Sequence, residues 1–150
     1  MTGSSPIWKN SDGPNNSIFE SPSVQSSGYI DFSFARYLGG HPLYQKATST
    51  GVYFYDDRIE IVDPELSIPY SAMTRVEVMG ANRIHREKLN VPLEQLLKNY
   101  PYTIIQYAER RSTSNRGKGV TSKITIVLDF DKNMVARTKT YIYTRMVETK

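Results

Sequence analysis

Apolar and polar residues alternate along most of the chain from Tyr29 onwards, and a period of two is typical of β-strands. The clearest case is the stretch of residues 51–78. Two alternating runs there flank Asp56-Asp57, which predicts a hairpin, and a shorter apolar run follows the turn signal Asp63-Pro64. The pattern therefore predicts a protein built mainly of antiparallel strands.

Seven strands are predicted from this alternation. The first begins near Tyr29 and has Ile30, Phe32 and Phe34 on its apolar side. The other six are predicted at residues 51–55, 58–62, 66–70, 74–79, 102–109 and 123–130. The core is expected to include Phe34, Val52, Phe54, Ile59, Ile61, Val76, Val78, Ile104, Ile126, Leu128, Ile142 and Met146.

Residues 92–100 interrupt the strand pattern. Four apolar residues recur there at i, i+3, i+4 and i+7, with Pro92 in the first turn and Pro101 as the stop. This spacing predicts a short helix inserted between the fifth and sixth strands.

The C-terminal segment, residues 131–150, carries two conflicting signals. Val135, Ile142 and Met146 fall on one helical stripe after the capping residue Asp131. The β-branched and aromatic residues 138–144 favour a strand instead, so local sequence alone leaves both states open.

Residues 1–27 differ in composition from the rest of the chain. They are rich in Ser, Asn, Pro and Gly, with few apolar side chains, so burial would rarely offset the entropy lost on ordering. Two short apolar pairs, Ile7-Trp8 and Ile18-Phe19, could dock on the domain or on a partner. The sequence therefore predicts a flexible tail over residues 1–28, followed by one domain over residues 29–150.

The composition excludes several kinds of functional site. The 150 residues include no cysteine, which excludes disulfides, thiolate catalysis and cysteine metal sites. No apolar run is long enough for a membrane-spanning helix, and the N-terminus lacks the layout of a secretion signal. A cytoplasmic location is therefore expected, with at most a peripheral association with membranes. The net charge of +4 favours anionic partners without choosing among them.

The sequence lacks recognisable catalytic motifs. It has no Gly-x-Ser-x-Gly elbow, no histidine pair at metal spacing and no dinucleotide fingerprint, and its paired carboxylates fall at predicted turns. His41 and His85 are its only histidines, and His41 lies in the turn sequence Gly39-Gly40-His41-Pro42, where a structural role is expected. We therefore expect a protein without enzymatic activity, cofactor or metal, in which both histidines are dispensable.

Several of these segments together resemble a known family. Gly51-Val-Tyr-Phe-Tyr, followed by the hairpin and by Ile68-Pro69-Tyr70, is similar to the middle of pleckstrin-homology-like (PH-like) domains of the bacterial, archaeal or GRAM type. The resemblance extends from about Phe32 to the end of the chain. It implies a seven-stranded antiparallel barrel whose open corner is closed by a C-terminal helix, and so it favours a helix over residues 131–150.

A basic stretch offers the best candidate site. Residues 110–123 contain five basic residues and no acidic one, and Gly117 and Gly119 would let backbone amides approach an anion. A solvated hairpin tip would have the same composition. The candidate anion- or lipid-binding residues are Lys46, Arg110, Arg111, Arg116, Lys118 and Lys123.

These residues predict a non-catalytic module that binds anionic lipid head groups weakly. The alternative is an adaptor that binds a peptide or an unidentified protein along a sheet edge or a helix groove. Nucleic-acid binding is disfavoured, because only Tyr102 and Tyr107 accompany Arg110 and Arg111 as stacking residues. The lipid hypothesis requires Lys46 and the basic stretch to lie at one end of the barrel.

Overall fold

A computed structural model of the chain describes residues 28–112 and 119–149, with the backbone alone at positions 111, 112, 119 and 120. Apart from Gly28, the tail predicted over residues 1–28 lies outside the described residues, so its flexibility stays a prediction. The compact unit described below begins at Asp31.

Seven antiparallel strands form one sheet in the described part of the chain, in the order β4-β3-β2-β1-β7-β6-β5. Each of the seven predicted strands is confirmed, although the sixth and seventh are longer than the sequence pattern indicated. The strands are β1 (Asp31–Gly39), β2 (Thr48–Phe54), β3 (Arg58–Ile61), β4 (Leu66–Pro69), β5 (Met73–Met79), β6 (Tyr102–Ser112) and β7 (Gly119–Phe130).

The sheet curls back on itself. Its two edge strands, β4 and β5, are joined only by the single helical turn Tyr70–Ala72. Six strand spacings would separate these edges by about 29 Å in a flat sheet, whereas the link from Pro69 to Met73 spans at most about 14 Å. The described residues include no ladder between β4 and β5, so closure into a barrel stays a prediction.

The concave face of the sheet encloses the main core. Every strand contributes to it, and the C-terminal helix α2 (Val135–Glu148) closes it with three buried apolar residues, Val135, Ile142 and Met146. Apart from Phe34 and the half-buried Val78, the predicted core residues are buried. A sheet with one face against a helix and a shared apolar core is a stable arrangement because both elements bury their apolar sides.

The predicted C-terminal helix is confirmed despite its β-branched residues. Asp131 caps the 3-10 turn Lys132–Met134, which leads directly into the helix, by accepting a hydrogen bond from the backbone N–H of Asn133. The buried hydroxyl of Thr138 donates to the carbonyl oxygens of Met134 and Val135, so this polar group is satisfied within the helix itself. Burial of the apolar stripe therefore outweighs the local strand preference of residues 138–144.

The predicted orientation of β1 is wrong. Ser33, Ala35 and Tyr37 face the core, and the Phe34 side chain is 78% exposed on the other side of the sheet. Both faces of β1 carry apolar residues, so alternation alone could not choose between them. The pairing of Ala35 with Phe130 on β7 sets the face that is buried.

The predicted inserted helix is also wrong. Residues 92–100 contain only one 3-10 turn, Leu93–Gln95, and the α-helix of this region is α1 (Ala81–Arg86), in the preceding charged segment. Leu93 and Leu97 are exposed, and only Leu96 and Tyr100 of the stripe pack, partly buried, against a small core. The stripe therefore lacks continuous packing along one face. A helix of this length is marginal without such packing.

The segment between β5 and β6 builds a second, smaller core on the convex face of the sheet. The backbone N–H of Leu97 donates to the hydroxyl of Tyr102, which ties the segment to β6. The buried residues of this second core are Leu38, Met79, Ile84, Val91, Tyr102, Ile104 and Val127. None of the helices among the described residues has the length and apolarity needed to span a membrane.

Candidate functional site

The ends of β6 and β7 extend beyond the rest of the sheet. These two strands pair continuously from Thr103 with Leu128 to Ser112 with Gly119. β5 pairs with β6 only as far as Tyr107, and β1 pairs with β7 only from Val127 onwards. Residues 108–112 and 119–123 therefore form a two-stranded projection, called here the ribbon, which pairs with no third strand among the described residues.

Two exposed cations share one face of the ribbon. Arg110 pairs with Thr121, and Lys123 pairs with Ala108, so the two basic residues are diagonal neighbours across the strands. Diagonal positions on one face lie about 7–8 Å apart, which allows two side chains to contact one anionic surface. Arg111 pairs with Val120 by register, and Arg116 and Lys118 lie outside the described residues.

Lys46 belongs to the connection between β1 and β2, residues 40–47, and its side chain is exposed. Because β1 runs antiparallel to β7, this connection and the ribbon lie at the same end of the sheet. Gly40 brings it against β7: a Cβ at this position would lie 2.0 Å from the carbonyl oxygen of Thr125. The described candidates Lys46, Arg110 and Lys123 thus occupy neighbouring segments.

A buried histidine fastens this connection to the base of the ribbon. The Nε2 atom of His41 lies 3.0 Å from each carboxylate oxygen of Glu109, a residue 68 positions away in β6. Its Nδ1 atom accepts a hydrogen bond of 3.0 Å from the backbone N–H of Leu43. Because Nδ1 accepts, Nε2 carries a proton and donates to Glu109. We call this arrangement the His41 clasp.

The clasp leaves neither imidazole nitrogen available for other chemistry. The His41 side chain is 2% exposed and that of Glu109 is 24% exposed. Among the described residues, no three His, Cys, Asp or Glu side chains are grouped closely enough to hold a metal ion. The sequence contained no local signal for the clasp, because its two members are far apart in the chain.

Tyrosines surround the clasp. The Tyr37 hydroxyl accepts from the backbone N–H of His41 and donates to the carbonyl oxygen of Tyr44, whose ring stacks at a tilt on the imidazole. Burial, reinforced by the negative charge of Glu109, raises the pKa of Tyr107. Burial likewise raises the pKa of Tyr37. These phenols therefore stay protonated at neutral pH and add no negative charge beside the ribbon.

An aromatic surface on the convex face was not predicted from the sequence. The Phe32 ring meets the Phe34 ring edge-on at 5.0 Å and lies 4.7 Å from the Tyr53 ring. Val62 directly follows β3, and its side chain is exposed. Its backbone N–H donates to the carbonyl oxygen of Gly51, the residue that pairs with Phe34. We call Phe32, Phe34, Tyr53 and Val62 the outer patch.

Comparison of the sequence with models of known protein families gives no match, and comparison with curated proteins gives no match either.

Proposed function

We propose that this chain is a PH-like binding module that the ribbon recruits weakly to anionic membrane surfaces. Seven antiparallel strands in a curled sheet, with a C-terminal helix across the core, are the elements that the family resemblance implies. A barrel closed at the β4 and β5 edges belongs to the same proposal. Fold alone does not define function, so the argument for membrane recruitment rests on the ribbon.

The single observation that carries the proposal is the projection of a cationic ribbon with little internal compensation. The sequence has no acidic residue in positions 110–123, and the one acid of the described ribbon, Glu109, is held by His41. Arg110 and Lys123 are exposed on one face. Cations presented together on a narrow projection can approach a charged surface closely, where the attraction is strongest.

The expected affinity is low. Each basic residue close to an anionic membrane contributes about 1 kcal/mol, so five in one stretch would contribute about 5 kcal/mol before ordering costs. That free energy corresponds to a dissociation constant of roughly millimolar order. The attraction should fall with ionic strength, since the Debye length shortens from about 10 Å at 0.1 M salt to about 3 Å at 1 M.

The sequence of the ribbon favours a membrane over single-stranded nucleic acid. Residues 108–123 contain no aromatic side chain. Proteins that bind single strands without sequence preference rely on aromatic stacking as well as charge. A two-stranded ribbon also fits the major groove of DNA, so duplex binding is included in the test below.

The test is co-sedimentation with vesicles of phosphatidylserine and phosphatidylcholine, compared with vesicles of phosphatidylcholine alone. The ribbon variant R110S/R111S/K123S should lose most of its binding to anionic vesicles. The matched control R86S/K98S/K132S removes the same number of positive charges, at three exposed positions elsewhere, and should bind like the wild type.

Three results would overturn the proposal. They are equal sedimentation of the wild type with both vesicle types, equal losses in the two triple variants, and tighter binding of the wild type to duplex DNA than to anionic vesicles at the same salt concentration.

The second candidate is an adaptor that binds a peptide or a partner protein. Two observations favour it: β4 and β5 are edge strands, and the outer patch exposes the Phe34 ring. An unpaired strand edge can accept a peptide as an additional strand. If F34S/V62S abolishes an interaction found in cell extract and the ribbon variant retains it, this candidate replaces the first.

A further inference from the structure

The ribbon contains a carboxylate that ought to oppose its function. Glu109 immediately precedes Arg110 and pairs with Ser122 on β7, so it belongs to the same two-stranded projection. By register Glu109 shares a face with Arg111. A carboxylate beside a cation neutralises part of its field and competes with an anionic ligand for the same donors.

Other strands of this sheet show what an uncommitted glutamate does. On β3, Arg58 Nε lies 2.7 Å from a carboxylate oxygen of Glu60, and on β5, Arg75 Nε lies 2.7 Å from one of Glu77. Residues two apart on a strand share a face, so this spacing brings the charges together.

Glu109 and Arg111 have this spacing on β6. By analogy with β3 and β5, a Glu109 carboxylate without another partner would pair with Arg111, whereas Arg110 and Lys123 lie on the opposite face of the ribbon.

His41 gives the carboxylate another partner. Both oxygens of Glu109 lie 3.0 Å from Nε2, and the imidazole is oriented by the N–H of Leu43 at Nδ1. The ring is buried against Tyr44, so the donor is fixed in place and protected from water. A charge-assisted hydrogen bond of this kind is stronger than one between neutral groups.

We propose that His41 is a positioning residue for anion binding, which holds the Glu109 carboxylate away from Arg111, the basic residue on the same face of the ribbon. This role rests on the proposed membrane function of the ribbon. It revises the expectation that His41 is dispensable, and it makes the β1–β2 connection part of the binding apparatus.

The test measures binding to phosphatidylserine vesicles at low salt in a cycle of variants. H41A should bind about fivefold more weakly than the wild type, which is the contribution of about one basic residue. The double variant H41A/E109Q should return to the wild-type level, because it has no carboxylate to compete. A purely structural role for His41 predicts no such rescue.

A second pair of variants retains His41 in case H41A does not fold. E109D keeps the charge but shortens the side chain by one methylene, so it should release the carboxylate and weaken binding. E109Q removes the charge and should bind at least as well as the wild type.

The outcomes separate the two proposals. A wild type that does not prefer anionic vesicles overturns both. If the wild type prefers them, two results overturn the role of His41 and leave the ribbon as the membrane site. One is that H41A and E109D bind like the wild type, and the other is that H41A/E109Q binds as weakly as H41A.

Discussion

The ring of Phe32 on β1 covers Gly51 on β2. A Cβ atom at position 51 would lie 2.4 Å from Cε1 and 2.5 Å from Cζ of that ring, closer than such atoms approach. The glycine therefore provides a flat site on which an aromatic ring rests against the sheet. This contact builds one side of the outer patch.

Replacing Gly51 by alanine should displace the Phe32 ring. Alanine ordinarily stabilises a strand relative to glycine by about 0.5–1 kcal/mol, but here we expect destabilisation of about 1 kcal/mol. In the F32A background the same change should be neutral or stabilising, because the clash is absent. Urea unfolding of the four proteins of this double-mutant cycle measures the coupling. S49A, an exposed change on the same strand, serves as the control, and independent effects of G51A and F32A would contradict the contact.

Two phenylalanines should differ sharply in their contribution to stability. Phe34 is exposed, whereas Phe54 is buried in the main core against the rings of Phe130 and Tyr141. F54A should lower the free energy of unfolding by about 3–5 kcal/mol, and F34A should change it by less than about 0.5 kcal/mol. Chemical denaturation of both variants tests the orientation of β1. Comparable losses would mean that Phe34 is a core residue after all.

The ion pairs that fasten α1 to β5 should make stability depend on pH. Arg75 first, and Arg83 with it, lower the pKa values of Glu77 and Glu87. A lowered folded-state pKa gives stability that is present above the usual glutamate value of about 4.3 and is lost as the pH falls through the folded values. Between pH 6 and pH 3, the midpoint temperature of thermal unfolding should therefore fall less steeply in E77Q/E87Q than in the wild type.

The exposed change E94Q is the control for this pH series and should leave the wild-type slope unaltered. High salt should also reduce the difference between the proteins, because exposed pairs are screened. Parallel pH profiles of the wild type and E77Q/E87Q would contradict the assignment.

Gly40 should be essential for the approach of the β1–β2 connection to β7. Its φ of +112° is a conformation that side chains rarely adopt, and an added Cβ would overlap the backbone of Thr125 and Ile126. We expect G40A to cost at least about 2 kcal/mol in unfolding free energy. It should also open the clasp, visible as faster hydrogen exchange at the Leu43 amide.

The control is G80A, where the nearest backbone atom is 3.9 Å from the added Cβ, and it should cost much less unfolding free energy. Equal costs would show that the connection is free to move.

Much of the secondary structure follows from local patterns. In β3 the apolar residues stand on one face only, so alternation identified both the strand and its buried side. In β1 it identified the strand but not the side, because Phe32 and Phe34 compete with Ala35 and Tyr37. Partner strands decide such cases through register, which no single strand encodes.

The helices show the same division. Residues 92–100 have a helical stripe but form only the turn Leu93–Gln95. The backbone N–H of Leu97 is bonded to the Tyr102 hydroxyl and Asn99 has a left-handed backbone, and neither feature belongs to a regular helix. Residues 138–144 have strand-forming side chains yet lie in α2, because packing of the helix on the core outweighs their preference for a strand. Local preference is worth tenths of a kcal/mol per residue, and burial of a side chain is worth more.

By itself, the sequence determined that this protein is mainly β, where its strands lie and which stretch is the most basic, because these properties depend on near neighbours in the chain. Only the tertiary structure decided that the basic strands project as a ribbon and that His41 holds Glu109. Those features depend on where β1 and β5 stop pairing and on residues 68 positions apart. Such contacts form only when the whole sheet assembles, since the free energy that fixes them comes from burial shared by all seven strands.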